Sequence, residues 1–237
     1  MRAPESPELA RTYNVRLNLA LTQRPEQELS TTLLAFHGFS LNGARMEAQL
    51  AALTPALPEE LALVCPDAPH SCELESVERL YKRWRIARLP PPYLNWWNAT
   101  DDGSEYRGWE ATREYVKELL SRYARVGILG FSQGGILATA IAALSHAGEL
   151  PAIRFAVIVA GGPPRAQAIK PFLTQIIGVP SLHVWGERDT IAASAAPAAL
   201  ECFDPATREH LIWPGAHSVP PTGPGALAIV NFVKRHS

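Results

Sequence analysis

The chain has 237 residues, enough for one well-buried domain of the larger kind, with 22 Lys plus Arg against 23 Asp plus Glu and a net charge of −1. That balance gives no electrostatic reason to expect nucleic acid or an anionic membrane surface as a partner. Three cysteines, Cys65, Cys72 and Cys202, have neither the even count nor the density of a disulfide framework, and a reducing, cytoplasmic setting fits them best.

Residues 1–11 are polar and proline-containing, lack the apolar core of a signal peptide and read as a loosely held tail. No apolar run approaches the roughly 20 residues that span a bilayer. The domain is expected over 12–237. Val15, Leu17, Leu19 and Leu21 alternate with Arg16, Asn18 and Ala20, the period of an edge strand with one buried face. The continuous apolar run 31–36 instead has the pattern of a parallel strand covered on both faces, and it ends in His37-Gly38-Phe39-Ser40. Met46, Leu50 and Leu53 predict a helix over 42–57, with Asn42 as its N-cap and Pro58 just beyond it. A short buried strand follows at 61–65, closed by Pro66-Asp67-Ala68-Pro69-His70.

Residues 71–106 break the alternation and read as an insert near the active site. Val77, Tyr81 and Trp84 recur at helical spacing among Arg79, Lys82, Arg83, Arg85 and Arg88. That pattern suits either a helix with a solvated basic face or a flank that receives an anionic substrate part, such as a carboxylate or a coenzyme A phosphate. Trp96 and Trp97 either line an apolar pocket or anchor the loop on the core. Further helices are predicted over 109–123, 136–144, 172–177, 192–202 and 226–234, and strands over 125–129, 153–160, 179–185 and 208–213. Strands and helices thus alternate through one α/β domain with a mostly parallel central sheet and helices on both faces.

Between the strand at 125–129 and the helix at 136–144 stands Gly130-Phe131-Ser132-Gln133-Gly134, a serine on an abrupt strand-to-helix turn with glycine two residues to either side. This is the pattern of a nucleophile elbow, in which a Cβ at either glycine would collide with the neighbouring strand or helix. Ligands of an open parallel sheet bind beyond the carboxyl ends of its strands, where His37-Gly38-Phe39, Asp67, Ser132, Asp189 and His217 all fall. A serine hydroxyl needs a base, and His217, on a loop between Gly215 and Pro220, is better placed than the other six histidines. The base needs a carboxylate, for which Asp189 is the candidate, with Glu187 and Asp204 as rivals. The backbone N–H groups of Phe39 and Gln133 are the candidate oxyanion donors, and His37 is expected to fix its loop rather than transfer protons.

His-Gly-Phe-Ser-Leu-Asn-Gly at 37–43, Pro-Asp-Ala-Pro-His at 66–70, Trp-Trp at 96–97, Tyr-Arg-Gly-Trp-Glu at 106–110, Gly-Phe-Ser-Gln-Gly-Gly at 130–135, Gly-Glu-Arg-Asp at 186–189 and Gly-Ala-His-Ser-Val-Pro at 215–220 carry a family resemblance. With these motifs the chain resembles the small serine hydrolases of the FSH family over roughly residues 31–235, a family that includes an ovarian-cancer-associated hydrolase and fungal polyketide thioesterases. The strand at 14–21 departs from that pattern and is similar to carboxylesterase and phospholipase relatives. The resemblance implies a single-domain α/β-hydrolase and an esterase or thioesterase acting on acyl chains, with Ser132, Asp189 and His217 as triad. Trp96, Trp97, Ser40 and Val219 are the candidate substrate-pocket residues.

The expected function is hydrolysis of a small-molecule carboxylic ester or thioester through an acyl-serine intermediate, with no cofactor or metal. The alternatives are a peptide or amide hydrolase on the same triad and a non-catalytic hydrolase-fold binding protein. Oligomeric state does not follow from the sequence.

Overall fold

The two continuous apolar runs, Thr32–Phe36 and Val126–Phe131, lie side by side at the centre of a parallel sheet. The structure is a computed structural model that describes residues 30–85, 88–100, 102–192 and 194–237. The tail at 1–11 and the strand expected at 14–21 lie outside the described residues. In chain order the elements are β1 (Thr32–Phe36), α1 (Gly43–Leu50), β2 (Ala62–Val64), β3 (His70–Ser71), α2 (Leu74–Trp84), β4 (Leu94–Asn95), β5 (Asn98–Ala99), β6 (Tyr106–Arg107) and α3 (Trp109–Ser121). There follow β7 (Val126–Phe131), α4 (Gln133–His146), β8 (Phe155–Val159), β9 (Ser181–Gly186), α5 (Ala196–Leu200), β10 (Arg208–Trp213) and α6 (Gly223–His236).

Among the described residues six strands pair in the order β10-β9-β8-β7-β1-β2, all parallel. From β1 the chain first adds β2 on one side and then crosses to β7 on the other, so the order reverses between β1 and β7. Such a switch point opens a crevice beyond the strand ends, because the two flanking connections leave in opposite directions. Side-chain alternation divides the core between two faces. Leu34, Phe36 and Ile128 pack with Val116, Leu119 and Leu120 of α3 and with Leu137 and Ile141 of α4. Leu33, Ala35, Leu129 and Phe131 pack with Met46 and Leu50 of α1 and with Ile229, Val230, Phe232 and Val233 of α6. Each of these large side chains contributes about 1.5–3 kcal/mol of burial before the entropy of ordering it.

Four expectations change at this level. β2 is half-exposed rather than buried, because it is the last strand of the sheet among the described residues. The alanine-rich helix expected over 192–202 shrinks to α5, which begins with Pro197 in its first turn, where a missing N–H costs nothing. The helical piece expected at 172–177 is a 3₁₀ turn at Lys170–Leu173, again with a proline, Pro171, at its start. The helix expected over 42–57 is split into α1 and a 3₁₀ turn at Thr54–Ala56.

The insert is more regular than its sequence suggests. β3 pairs with β4 and β5 with β6, each a two-residue antiparallel ladder too short to show a period. Between them α2 buries Val77 and Tyr81 against Cys72 and Tyr93, and Phe39 packs on the same cluster. Trp84 is half-buried, with the Arg83 guanidinium 5.4 Å from its ring centroid.

Candidate active site

β7 ends one residue before Ser132, whose φ of 54° and ψ of −115° lie where L-residues rarely sit. Two neighbours require that turn to be glycine-flanked. A Cβ on Gly130 would fall on the Gly134 carbonyl, and a Cβ on Gly134 would fall on the Phe36 carbonyl at the end of β1. The Ser132 N–H donates to the Val159 carbonyl at 2.9 Å, which fixes the apex against β8.

The Ser132 hydroxyl meets His217. Its Oγ lies 2.9 Å from His217 Nε2, and His217 Nδ1 lies 2.8 Å from Asp189 Oδ2. The carboxylate can only accept, so Nδ1 carries the proton and Nε2 is free to accept from the serine. Asp189 is 2 % exposed, and its other oxygen accepts the N–H groups of Ile191 and Ala192 at 2.8 and 2.9 Å. Three donors thus satisfy the two oxygens of one buried carboxylate. The rivals lie elsewhere: Glu187 is exposed, and Asp204 caps its own turn through the Ala206 N–H at 2.9 Å.

The loops that carry Asp189 and His217 are joined directly. Glu187 N–H donates to the Trp213 carbonyl and Arg188 N–H to the Gly215 carbonyl, each at 2.8 Å. The His217 ring also lies 5.0 Å from the Phe131 ring, centroid to centroid.

On the other side of the elbow runs the loop after β1. A Cβ on Gly38 would stand 3.3 Å from the Ser132 Cβ, so only glycine lets the loop come this close without a push on the serine. The N–H groups of Phe39 and Gln133 are engaged by no acceptor among the described residues. Gln133 opens α4, where the first-turn N–H groups and the helix dipole favour negative charge. His37 is wholly buried; its Nε2 accepts from the Ala68 N–H at 3.1 Å, which leaves Nδ1 to donate to the Gly38 carbonyl at 2.8 Å. Burial pushes its pKa down to about 4 against a smaller opposing pull from the Gly38 carbonyl, so it is neutral and holds the loop.

The pocket candidates require a correction. Trp96 and Trp97 are 0 % and 2 % exposed, and a side chain with no accessible surface does not line an open pocket. They anchor the insert: Trp97 stacks on Tyr106 at 4.3 Å, and Trp96 meets Phe36 edge-on at 5.2 Å. Ser40 and Val219 are likewise buried, at 2 % and 4 %. Two relationships escaped the sequence reading. Asp67 accepts the Gly43 N–H at 2.7 Å and so caps α1. The Gln133 side chain grips the insert, accepting from the Trp96 N–H at 3.0 Å and donating to the Trp97 carbonyl at 2.9 Å.

Among the described residues no three His, Cys, Asp or Glu side chains are grouped to hold a metal ion, and no helix is long and apolar enough to cross a membrane.

Comparison with known proteins supplies a context for this geometry. Residues 28–225 match the model of the serine hydrolase (FSH1) family. The esterase OVCA2 of Danio rerio is 30% identical over 220 residues, covering 86% of this chain and 96% of its own. The Bos taurus esterase OVCA2 is 29% identical, with 85% and 94% covered. Among solved structures, Arabidopsis thaliana SOBER1 superposes with a TM-score of 0.64 at 21% identity over 87% of this chain and 99% of its own. Zea mays acyl-protein thioesterase 2 gives 0.64 at 18% over 90% and 96%. The structural neighbours are α/β-hydrolases, and that is the fold of this chain.

Proposed function

We propose that this chain, which belongs to the serine hydrolase (FSH1) family, cleaves carboxylic esters or thioesters of acyl chains through an acyl-serine intermediate. The observation that carries the reading is the unbroken hydrogen-bonded line from Asp189 through His217 to Ser132, 2.8 and 2.9 Å long.

In the proposed mechanism Ser132 Oγ attacks the acyl carbonyl carbon while its proton passes to His217 Nε2. Asp189 keeps the ring in the accepting tautomer and stabilises the imidazolium. The carbonyl oxygen, now an oxyanion, is received by the N–H groups of Phe39 and Gln133, each such donor being worth about 2.7–4 kcal/mol at a comparable site. Collapse breaks the bond to the alcohol or thiol, which leaves with the proton from His217. Water then attacks the acyl-serine with the same base, releasing the acid and restoring the hydroxyl. The esterase names of the relatives and the thioesterase name of one structural neighbour support both leaving groups. Free thiols at Cys65, Cys72 and Cys202 fit a reducing, cytoplasmic setting.

The test is turnover of p-nitrophenyl esters and N-acetylcysteamine thioesters of acetyl to decanoyl groups, with hydroxylamine added. Hydrolysis accompanied by hydroxamate formation, with turnover that depends on chain length, is expected. A folded protein that turns over neither series would overturn the proposal.

A further inference from the structure

The N–H groups of Phe39 and Gln133 belong to segments far apart in the chain, and a site that receives one oxyanion needs them at a fixed separation. Trp96 stands between those segments. Each of its three polar groups is engaged: the backbone N–H by Gln133 Oε1 at 3.0 Å, the indole N–H by the His37 carbonyl at 2.8 Å, and the carbonyl by the Thr112 hydroxyl. Its ring lies 5.0 Å from the His37 ring, centroid to centroid.

The His37 end of this line leads to the Phe39 donor itself. His37 Nδ1 donates to the Gly38 carbonyl at 2.8 Å, and the Leu41 N–H donates to the same oxygen at 3.2 Å. That carbonyl shares one peptide plane with the Phe39 N–H. In a trans peptide the two point in opposite directions, so pinning the oxygen aims the N–H. The other end leads to Gln133, whose side chain holds the insert while its backbone N–H meets no acceptor among the described residues.

We infer that Trp96 is a positioning residue, a strut running from the Gln133 side chain through the His37 carbonyl that sets the separation and aim of the two oxyanion donors. The inference rests on the serine-hydrolase mechanism proposed above. Its consequence is a division of labour in the insert, which holds the transition-state donors in place from behind through a side chain that no substrate touches. Loosening the strut leaves ground-state binding in place and weakens the transition state, because the donors are aimed at an oxygen position reached only after attack.

The test uses the full chain in three forms: wild type, Trp96→Phe, and Trp96 replaced by benzothienylalanine, which keeps the ring volume and lacks only the N–H. Steady-state kinetics on a p-nitrophenyl ester are measured with the affinity of an alkyl trifluoromethyl ketone, whose hemiketal oxyanion mimics the intermediate. The strut predicts that kcat falls roughly ten- to hundredfold, the scale of an ångström-level misplacement, with KM within about twofold. Ketone affinity should fall by the same factor as kcat, and a fluorophosphonate should still label Ser132 to completion. If Trp96→Phe does not fold, the benzothienylalanine form decides. A benzothienylalanine form with kcat and ketone affinity within about twofold of wild type would overturn the strut while the hydrolase reading stands. A wild type that neither hydrolyses esters nor labels on Ser132 would overturn both.

Discussion

His217 Nε2 stands 2.9 Å from Ser132 Oγ across 85 residues of chain. Nothing local brings them together. β7 and β10 lie in one parallel sheet with β8 and β9 between them, and the loop after β10 crosses that gap. It can do so because its first residues are tied to the loop after β9: the Arg188 side chain donates to the Pro214 carbonyl at 3.0 Å, beside the backbone bonds from Glu187 and Arg188. A Cβ on Gly186 would meet the Gly215 and Ala216 carbonyls, so the close approach depends on that glycine.

Asp189→Asn separates the three carboxylate candidates. The amide cannot hold His217 in the same tautomer, and kcat should fall by roughly 10³–10⁴ while the protein stays folded. Glu187→Gln and Asp204→Asn, which change an exposed side chain and a distant turn, should leave kcat within about twofold. Esterase assays on the three purified variants make the comparison; a loss confined to Glu187→Gln would assign the acid differently.

Gly134 and Gly148 distinguish crowding from backbone strain. At Gly134 an added Cβ meets the Phe36 carbonyl, part of the central strand, which cannot move aside cheaply. Gly134→Ala should cost about 3 kcal/mol or more, the upper end of overpacking penalties, or prevent folding. Gly148 has φ of +77° and open space around it, so Gly148→Ala should cost only about 1–2 kcal/mol. Urea midpoints of the two variants would show the difference, and equal costs would contradict it.

Stability should fall in mild acid. His37 and His183 are buried, and desolvation depresses them from 6.5 to about 4 and about 3. Above pH 6.5 neither the folded nor the unfolded state binds these protons, and their contribution is fully present. Below it the unfolded chain takes them up and the native state does not, so the unfolding free energy drops by about 1.4 kcal/mol per pH unit for each histidine. The loss continues down to about pH 4 for His37 and about pH 3 for His183. Urea titrations at half-unit steps from pH 7 to 5 measure the slope, and a flat profile over that window would contradict two neutral buried imidazoles.

Ser132 and Asp189 were legible because they follow β7 and β9, strands buried along their whole length that read as apolar runs, whereas His217 follows the half-exposed β10 and was marked only by its loop between Gly215 and Pro220. The elbow was legible for the same reason, with Gly130 and Gly134 as further marks. Where the sequence reading failed, shorter-range forces had decided the local structure. Asp189 takes the N–H groups of Ile191 and Ala192 into a turn, and the helix waits until Pro197 can occupy its first turn, which Pro197 itself could have signalled. The insert offered no period because its ladders are two residues long. Whether Trp96 and Trp97 lined a pocket or anchored a loop depended on Gln133, His37 and Thr112, which are distant in sequence.

The central claim is that Ser132 is the nucleophile, and covalent labelling tests it most directly. An active-site fluorophosphonate should modify the wild type at one site, located by peptide mass at Ser132, with loss of esterase activity in proportion to the label. Ser132→Ala should take up no label and hydrolyse no ester above background while remaining folded. Labelling or turnover that persists in Ser132→Ala would contradict the account.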